Sequence, residues 1–497
     1  MGIVKKQAYK NTIVSYFGMV VAYVNTILLF PFFTKNEEYG LYNLLIGISV
    51  LYSLIASLGI PQIISKYFPF YRTPDRRHNG FIHWTAIFSL IGFAATTVLF
   101  IVLKPTILHA YTGGKSSLLI DYYYYLVPLA LFTVFFNFLE MAGRIIYRTI
   151  FSSFLRDVLV RLITTVLLGM IAIGWIDFKQ FIVLYIASWG LISLILFINL
   201  ALSGEFSYRV NDLKFAAIQK KELINYGLIT VVSVSVYVLL QKVDIIMLSS
   251  IVGDAKQGVY SWYFNIAMVI SVPASALSRT TYQIVSDAWK AKDMKNIAEV
   301  YNKTSIVQML VGCLLFVGII SNQTNLFSIV HDPEKIKEFN IFIVIGLGFL
   351  VDITGGLNTY IITTSHKYRL VTVWVICASL LCIGLNYFLI PIYGGMGAAI
   401  AYLATMAALN LGTWYYIKTR FHMQPFTSKH LIVIAITIAS YFLGKYLWRL
   451  PNTYVDIVVR SGIIAAFYGV LIYLFNIAPD VNEKVDKTLV KLKLRSS

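Results

Sequence analysis

Apolar runs of roughly 20 residues or longer, separated by short polar stretches, fill most of the chain. A helix of that length rises far enough to cross a hydrocarbon core of ~30 Å. Barrel strands would instead read as segments of ~10 residues with strict alternation, which these runs lack. The pattern predicts about fourteen membrane-spanning helices, near residues 11–33, 41–68, 80–103, 119–143, 151–175, 178–202, 223–249, 258–286, 303–321, 338–364, 370–391, 395–418, 430–449 and 454–477. The divisions near 175–178 and 391–395 require very tight turns.

Composition agrees. The 497 residues are 58% hydrophobic and 13% charged. No soluble domain can hide that much apolar surface, so the fold class is an all-α integral membrane protein. The formal charge of +18 raises the question of nucleic acid. The cations, however, sit in short loops, so no nucleic-acid partner is implied. With the N-terminus in the cytoplasm, 27 Lys and Arg fall in inner segments and 9 in outer ones. This bias places both termini inside. Residues 203–222 read as an amphipathic helix on the membrane surface, and the outer loop 322–337 is short. The first span reads as a retained helix because no small-residue cleavage site follows it. Cys313, Cys377 and Cys382 lie in apolar runs without metal or disulfide spacing. No nucleophile–base or metal cluster is visible, so no cofactor is expected and a transporter is favoured over an enzyme.

The chain also repeats itself weakly. Tyr39-Gly40-Leu41-Tyr42 and Gln257-Gly258-Val259-Tyr260 each open a span, 218 residues apart. Glu140 and Asp352 are offset by 212, and Tyr185-Ile186-Ala187-Ser188 and Tyr402-Leu403-Ala404-Thr405 by 217. Similar offsets in chain order indicate two parallel six-helix units, which place a binding site at their interface. The expected division is an N-lobe over 1–202, a linker over 203–222, a C-lobe over 223–418, and a final pair of spans with a basic tail over 419–497.

Asn386–Ala401 (NYFLIPIYGGMGAAIA) resembles the turn between spans 11 and 12 of polysaccharide flippases. Pro391 and the glycines make the turn, and small residues after it allow close helix packing in lipid. Glu38–Tyr42, Leu58–Pro61, Asp244 and Gly258–Tyr260 resemble the same family. It is the multidrug/oligosaccharidyl-lipid/polysaccharide exporter superfamily, in particular its bacterial O-antigen and exopolysaccharide flippases. The resemblance implies two six-helix lobes around a central cavity with two further C-terminal helices. It also implies a polyprenyl-pyrophosphate-linked oligosaccharide, turned from the cytoplasmic to the outer leaflet.

Such a cargo needs cations facing its anionic head. Charges at mid-span are costly and usually face an interior or a cavity. The candidates for a cationic cavity are Arg161, Arg279, Arg156 and Lys242. Arg161 is the deepest basic residue, with pairing to Asp157 one turn earlier as its structural alternative. Arg156 suits snorkelling to the headgroups. Arg279 lies beyond Pro273, which can kink its helix. Lys242 and Asp244 point to different helix faces. Asp352, Glu140 and Asp244 are the candidates for coupling to a proton or sodium ion; Glu140 also suits a pair with Arg144. Arg460 reads as an interface anchor, and Tyr122–Tyr125 as part of an interfacial aromatic belt.

Two other functions fit less well. A drug or metabolite antiporter of the same superfamily should present cavity acids, whereas the deep charges here lean basic. A glycan polymerase or ligase usually carries a long outer loop. The expected location is a bacterial cytoplasmic membrane, and the expected partners are membrane lipids, the lipid-linked oligosaccharide, and a polysaccharide polymerase with glycosyltransferases.

Overall fold

A computed structural model describes residues 2–74, 78–112, 118–146, 148–204, 220–479 and 482–483, without the side chains of 2–12, 110, 112, 220, 233, 279 and 280. Among these residues the fold is helical throughout, with no strand. Among the described residues ten helices are long and apolar enough to cross a membrane, and eleven if a pair bent by 41° counts as one span. The regions expected to hold spans 5, 8 and 13 are helical over 149–172, 254–291 and 428–446. Each mixes polar residues into its run. Arg156, Asp157 and Arg161 interrupt the first. Serines, threonines and a break dilute the second. Lys429 and Lys445 flank the third. The surface helix expected over 203–222 lies mostly outside the described residues.

Several expected spans are broken. The run 41–68, read as one helix, is two: Asn36–Ala56 and Ile60–Tyr71. Leu58 and Gly59 between them take left-handed backbone angles, φ +50° and +73°. The break packs on the Lys220–Val252 helix so closely that a Cβ at Gly59 would lie 2.6 Å from the Gly227 carbonyl oxygen. Pro273 acts as expected. A 3₁₀ turn, Val269–Ser271, separates the Asp254–Met268 helix from Val272–Ala291, which carries the proline in its first turn. The bent pair is Asn340–Thr354 with Asn358–Thr364, parted by Gly355 and Gly356. The loop 322–337 is more ordered than expected, holding two short helices, Gln323–Val330 and Pro333–Lys337.

The chain forms two compact units, 1–262 with 386–395, and 263–385 with 396–497. In the first, the Asn36–Ala56 helix packs on Leu126–Ile145 and Lys220–Val252, and Leu126–Ile145 packs on Phe178–Leu202. The amino ends of Asn36–Ala56 and Asp254–Met268 cross at Gly40 and Gly258. In the second unit the C-terminal pair, Ser428–Tyr446 and Thr453–Leu474, packs on Met294–Ser321 through Met309, Cys313, Ile436 and Tyr468.

Candidate functional site

Glu140, Arg156, Asp157 and Arg161, charges of the first unit, gather on spans 4 and 5 where span 1 packs on span 5. Span 5 is helical over Thr149–Phe154 and Val160–Ala172, with a π-helical turn, Leu155–Leu159, between. Span 1 has its own π turn, Val24–Leu29. Each π turn packs on the other span. Such bulges recur at functional sites because they re-aim side chains within a helix. The two helices also touch at backbone distance: a Cβ on Gly18 would lie 2.0 Å from the Asp157 carbonyl oxygen.

Arg156 is held by carboxylates. Its Nη1 donates to Glu140 Oε2 at 2.6 Å and its Nε to Asp157 Oδ1 at 3.0 Å. The expected Glu140–Arg144 pair is present but looser, at 3.6 Å. Ser15 Oγ closes the network on Asp157 Oδ2 at 2.9 Å. Arg156 therefore ties spans 4 and 5 together rather than only reaching for headgroups.

The same network bears on Arg161. Asp157 turns to Arg156 and Ser15, and no ion pair joins it to Arg161 among the described residues. Arg161 is half-buried, and its Nη1 is enclosed without a hydrogen-bond partner. Asp157, Tyr42 and Tyr23 lie near enough to interact with it electrostatically. Tyr42 belongs to an aromatic wall with Tyr185, at 5.1 Å between ring centres, and Phe30, at 4.6 Å. The Arg161 carbonyl accepts from Asn25 Nδ2 at 2.8 Å, which fixes span 5 to the π turn of span 1. The site thus holds a half-buried guanidinium with a spare donor beside aromatic rings. That combination can bind an anion and stack on sugar.

The Arg279 side chain lies outside the described residues; its backbone is in the Val272–Ala291 helix. Lys242 is half-buried, with its stem passing 3.8 Å from a Cβ placed on Gly47. Asp244, two residues on, is buried and accepts from the Tyr260 hydroxyl and from the Ile245 amide at 3.0 Å.

Asp352, in the second unit, is exposed although it lies far along the Asn340–Thr354 helix. Its Oδ1 accepts from Asn410 Nδ2 at 3.1 Å. Asn358 donates to the Asn410 carbonyl at 3.2 Å and accepts from the Tyr301 hydroxyl. Beside this network lies an apolar groove of about 490 Å³, lined by Leu350, Leu411, Trp414, Phe426 and Ile434 among others.

Sequence reasoning missed several polar residues. Asn410 is a single polar position in an apolar run, while Asn358 follows a glycine pair and Tyr301 lies in the polar stretch 299–304. Asp254 is fully buried, accepting from Ser249 Oγ and from the Leu118 amide at 2.7 Å. Arg460 is not an interface anchor. It is buried, pairs with Asp456 at 2.9 Å and donates to the carbonyls of Gly444 and Trp448. The (i, i+4) spacing of Asp456 and Arg460 was the available signal. The tyrosine run divides: Tyr124 is exposed, while Tyr123 is buried against Phe100, ring centres 4.3 Å apart. Among the described residues no His, Cys, Asp and Glu group could hold a metal.

Long apolar helices with charged networks inside define a multi-pass α-helical membrane protein. Residues 4–289 match the family model described as polysaccharide biosynthesis protein. That match covers more than half of the chain, which belongs to this family. Residues 230–388 match a second model, described as MatE. A curated relative, a putative O-antigen transporter of Shigella flexneri, is 24% identical over 220 residues, covering 42% of this chain and 51% of the relative. The chain therefore spans about half the length of the curated relative it matches. Among solved structures, the lipid II flippase MurJ in an inward closed conformation matches with a TM-score of 0.73 and 14% identity. The match covers 94% of this chain and 98% of that one. An inward-facing multidrug resistance MATE family transporter of the MOP superfamily matches with a TM-score of 0.68 and 15% identity, covering 82% and 94%. At these identities the likeness establishes the fold, that of MurJ and MATE transporters, as the sequence resemblance implied.

Proposed function

We propose that the chain flips a polyprenyl-pyrophosphate-linked oligosaccharide from the cytoplasmic to the outer leaflet of a bacterial cytoplasmic membrane, by alternating access between two six-helix lobes. The observation that carries this reading is Arg161, an embedded guanidinium with an unfilled donor beside Tyr42 and Tyr23. A buried charge without full pairing is costly, and an anionic headgroup would relieve that cost in transit. The family match and the curated relative supply the cargo class. Arg279 and Lys242 are kept as further cations of the path. The apolar groove beside Asp352 suits an isoprenoid chain, which needs no hydrogen bonds from its walls. In this reading both termini lie in the cytoplasm, fourteen spans cross the membrane, and the lobes are residues 1–202 and 223–418. A polymerase and glycosyltransferases act on the same glycan.

Asp352 is the favoured coupling residue. A carboxylate this far along a span is costly unless it faces a polar space, and the bond from Asn410 answers only one of its oxygens. Glu140, held by Arg156 and Arg144, and Asp244, held by Tyr260, are reserve candidates. Asp352 and Asp244 also favour a second reading, a cation-coupled antiporter, and both fall within the segment matching MatE.

The test is flipping of a lipid-linked oligosaccharide by the protein in liposomes. Arg161→Ala should lower the rate about tenfold or more, the loss of one charge-assisted contact, with unchanged insertion and melting. A normal rate in Arg161→Ala would sink the cationic-path reading. Glycan-independent export of organic cations would favour the antiporter.

A further inference from the structure

The geometry points to a separate anion site of the phosphate class, in the second unit, where Lys445 and Arg449 meet the turn Ser321–Asn325. A polar cavity of about 170 Å³ lies there, between the start of the Gln323–Val330 helix and the connection from Ser428–Tyr446 to Thr453–Leu474. Its lining carries three cations, Lys445, Arg449 and Arg460, and one carboxylate, Asp456. The carboxylate is fully answered. Arg460 Nε reaches its Oδ2 at 2.9 Å and Nη2 its Oδ1 at 3.3 Å, while Asn325 Nδ2 and the Leu450 amide complete its shell. That pair is neutral, so Lys445 and Arg449 remain as two charges in excess.

Neither has a carboxylate within ion-pairing distance among the described residues. Arg449 Nη2 donates to Thr324 Oγ1 at 3.0 Å, which holds the guanidinium at the cavity while its other donors stay open. Two further groups in the lining call for an acceptor. The Ser321 hydroxyl is buried without a partner among the described residues. The Gln323–Val330 helix begins at Asn322 with no side-chain cap, and its first residues, Gln323, Thr324 and Asn325, line the cavity. A helix amino end attracts anions through its unpaired N–H groups and its dipole. Cations, a hydroxyl and a helix end approaching from different directions suit a tetrahedral oxyanion. The phosphate could come from a phospholipid headgroup or from a free or cargo-borne pyrophosphate.

The purified full chain in neutral detergent would be melted with inorganic phosphate, inorganic pyrophosphate, phosphatidylglycerol or phosphatidylcholine. Lys445 and Arg449 are exposed, so the Lys445→Gln/Arg449→Gln double variant should fold normally. In the wild type a phosphate ligand should raise the midpoint by about 2 °C. The double variant should lose the rise and bind about tenfold more weakly; Lys445→Arg should keep it. A rise with phosphatidylglycerol alone assigns the site to a lipid headgroup, and one with pyrophosphate assigns it to the phosphate itself. Equal shifts in wild type and double variant, or no shift in any arm, would overturn the site.

Discussion

Gly40 and Gly258 face each other where two helices cross at their amino ends, and the contact is reciprocal. A Cβ on Gly40 would lie 2.1 Å from the Asp254 carbonyl oxygen; one on Gly258 would lie 2.0 Å from that of Asn36. Asn36 precedes Gly40 by four residues, as Asp254 precedes Gly258. Both pairs share the 218-residue offset first seen in the sequence repeat.

Because each glycine meets backbone, no side-chain shift can make room for a larger residue. Gly40→Ala and Gly258→Ala should each destabilise the protein by roughly 1–3 kcal/mol, as overpacking does. The double variant should cost less than the sum, because both substitutions open the same crossing. Melting of the solubilised variants checks this. Wild-type midpoints in both single variants would contradict the close approach.

The Arg156 network predicts coupling rather than simple loss. Glu140→Gln and Arg156→Gln should each destabilise by about 1–2 kcal/mol, discounted because Arg156 is partly open to solvent. In a double-mutant cycle the pair should show a coupling of about 0.5 kcal/mol or more. Strict additivity would mean that the 2.6 Å contact does not form in the membrane.

The Asp456–Arg460 pair is buried on both sides, so the expected cost is larger. Arg460→Ala removes one partner and leaves a buried carboxylate, at roughly 3–5 kcal/mol. Arg460→Lys should rescue little, because one ammonium cannot reach Asp456 and the carbonyls of Gly444 and Trp448 together. Chemical denaturation of the three proteins measures the order: wild type, then Lys, then Ala.

How far these features could be read from sequence depends on their physics. Apolar run length located the helices, because lipid imposes one length scale on every span. It did not reveal the break at Leu58 and Gly59, since two residues with left-handed angles leave hydropathy unchanged. Depth along a helix singled out Arg161 as a candidate but misjudged Arg460. Near a helix end a cation can snorkel outward or fold inward, and it is Asp456 with the carbonyls of Gly444 and Trp448, brought close by the fold, that draws Arg460 in. The choice of Asp157 between Arg156 and Arg161 was equally hidden. Helical spacing offered Arg161, four residues on, and gave no sign of the contact with Arg156 beside it in the chain.

Asp352 offers the sharpest functional test. Asn410 occupies one of its oxygens at 3.1 Å, and the exposed side chain leaves the other acceptor positions for a proton or a sodium ion. Asp352→Asn keeps the shape and a hydrogen bond to Asn410 but removes the titratable charge, so folding should change by less than about 1 kcal/mol. Transport driven by an imposed ion gradient should fall about tenfold or more, while slow gradient-independent exchange persists. Asn410→Ala should leave the charge in place and reduce gradient-driven flux less. Liposomes loaded with proton or sodium gradients separate the two ions. If Asp352→Asn retains full gradient dependence, coupling resides elsewhere, and Glu140 and Asp244 become the residues to test.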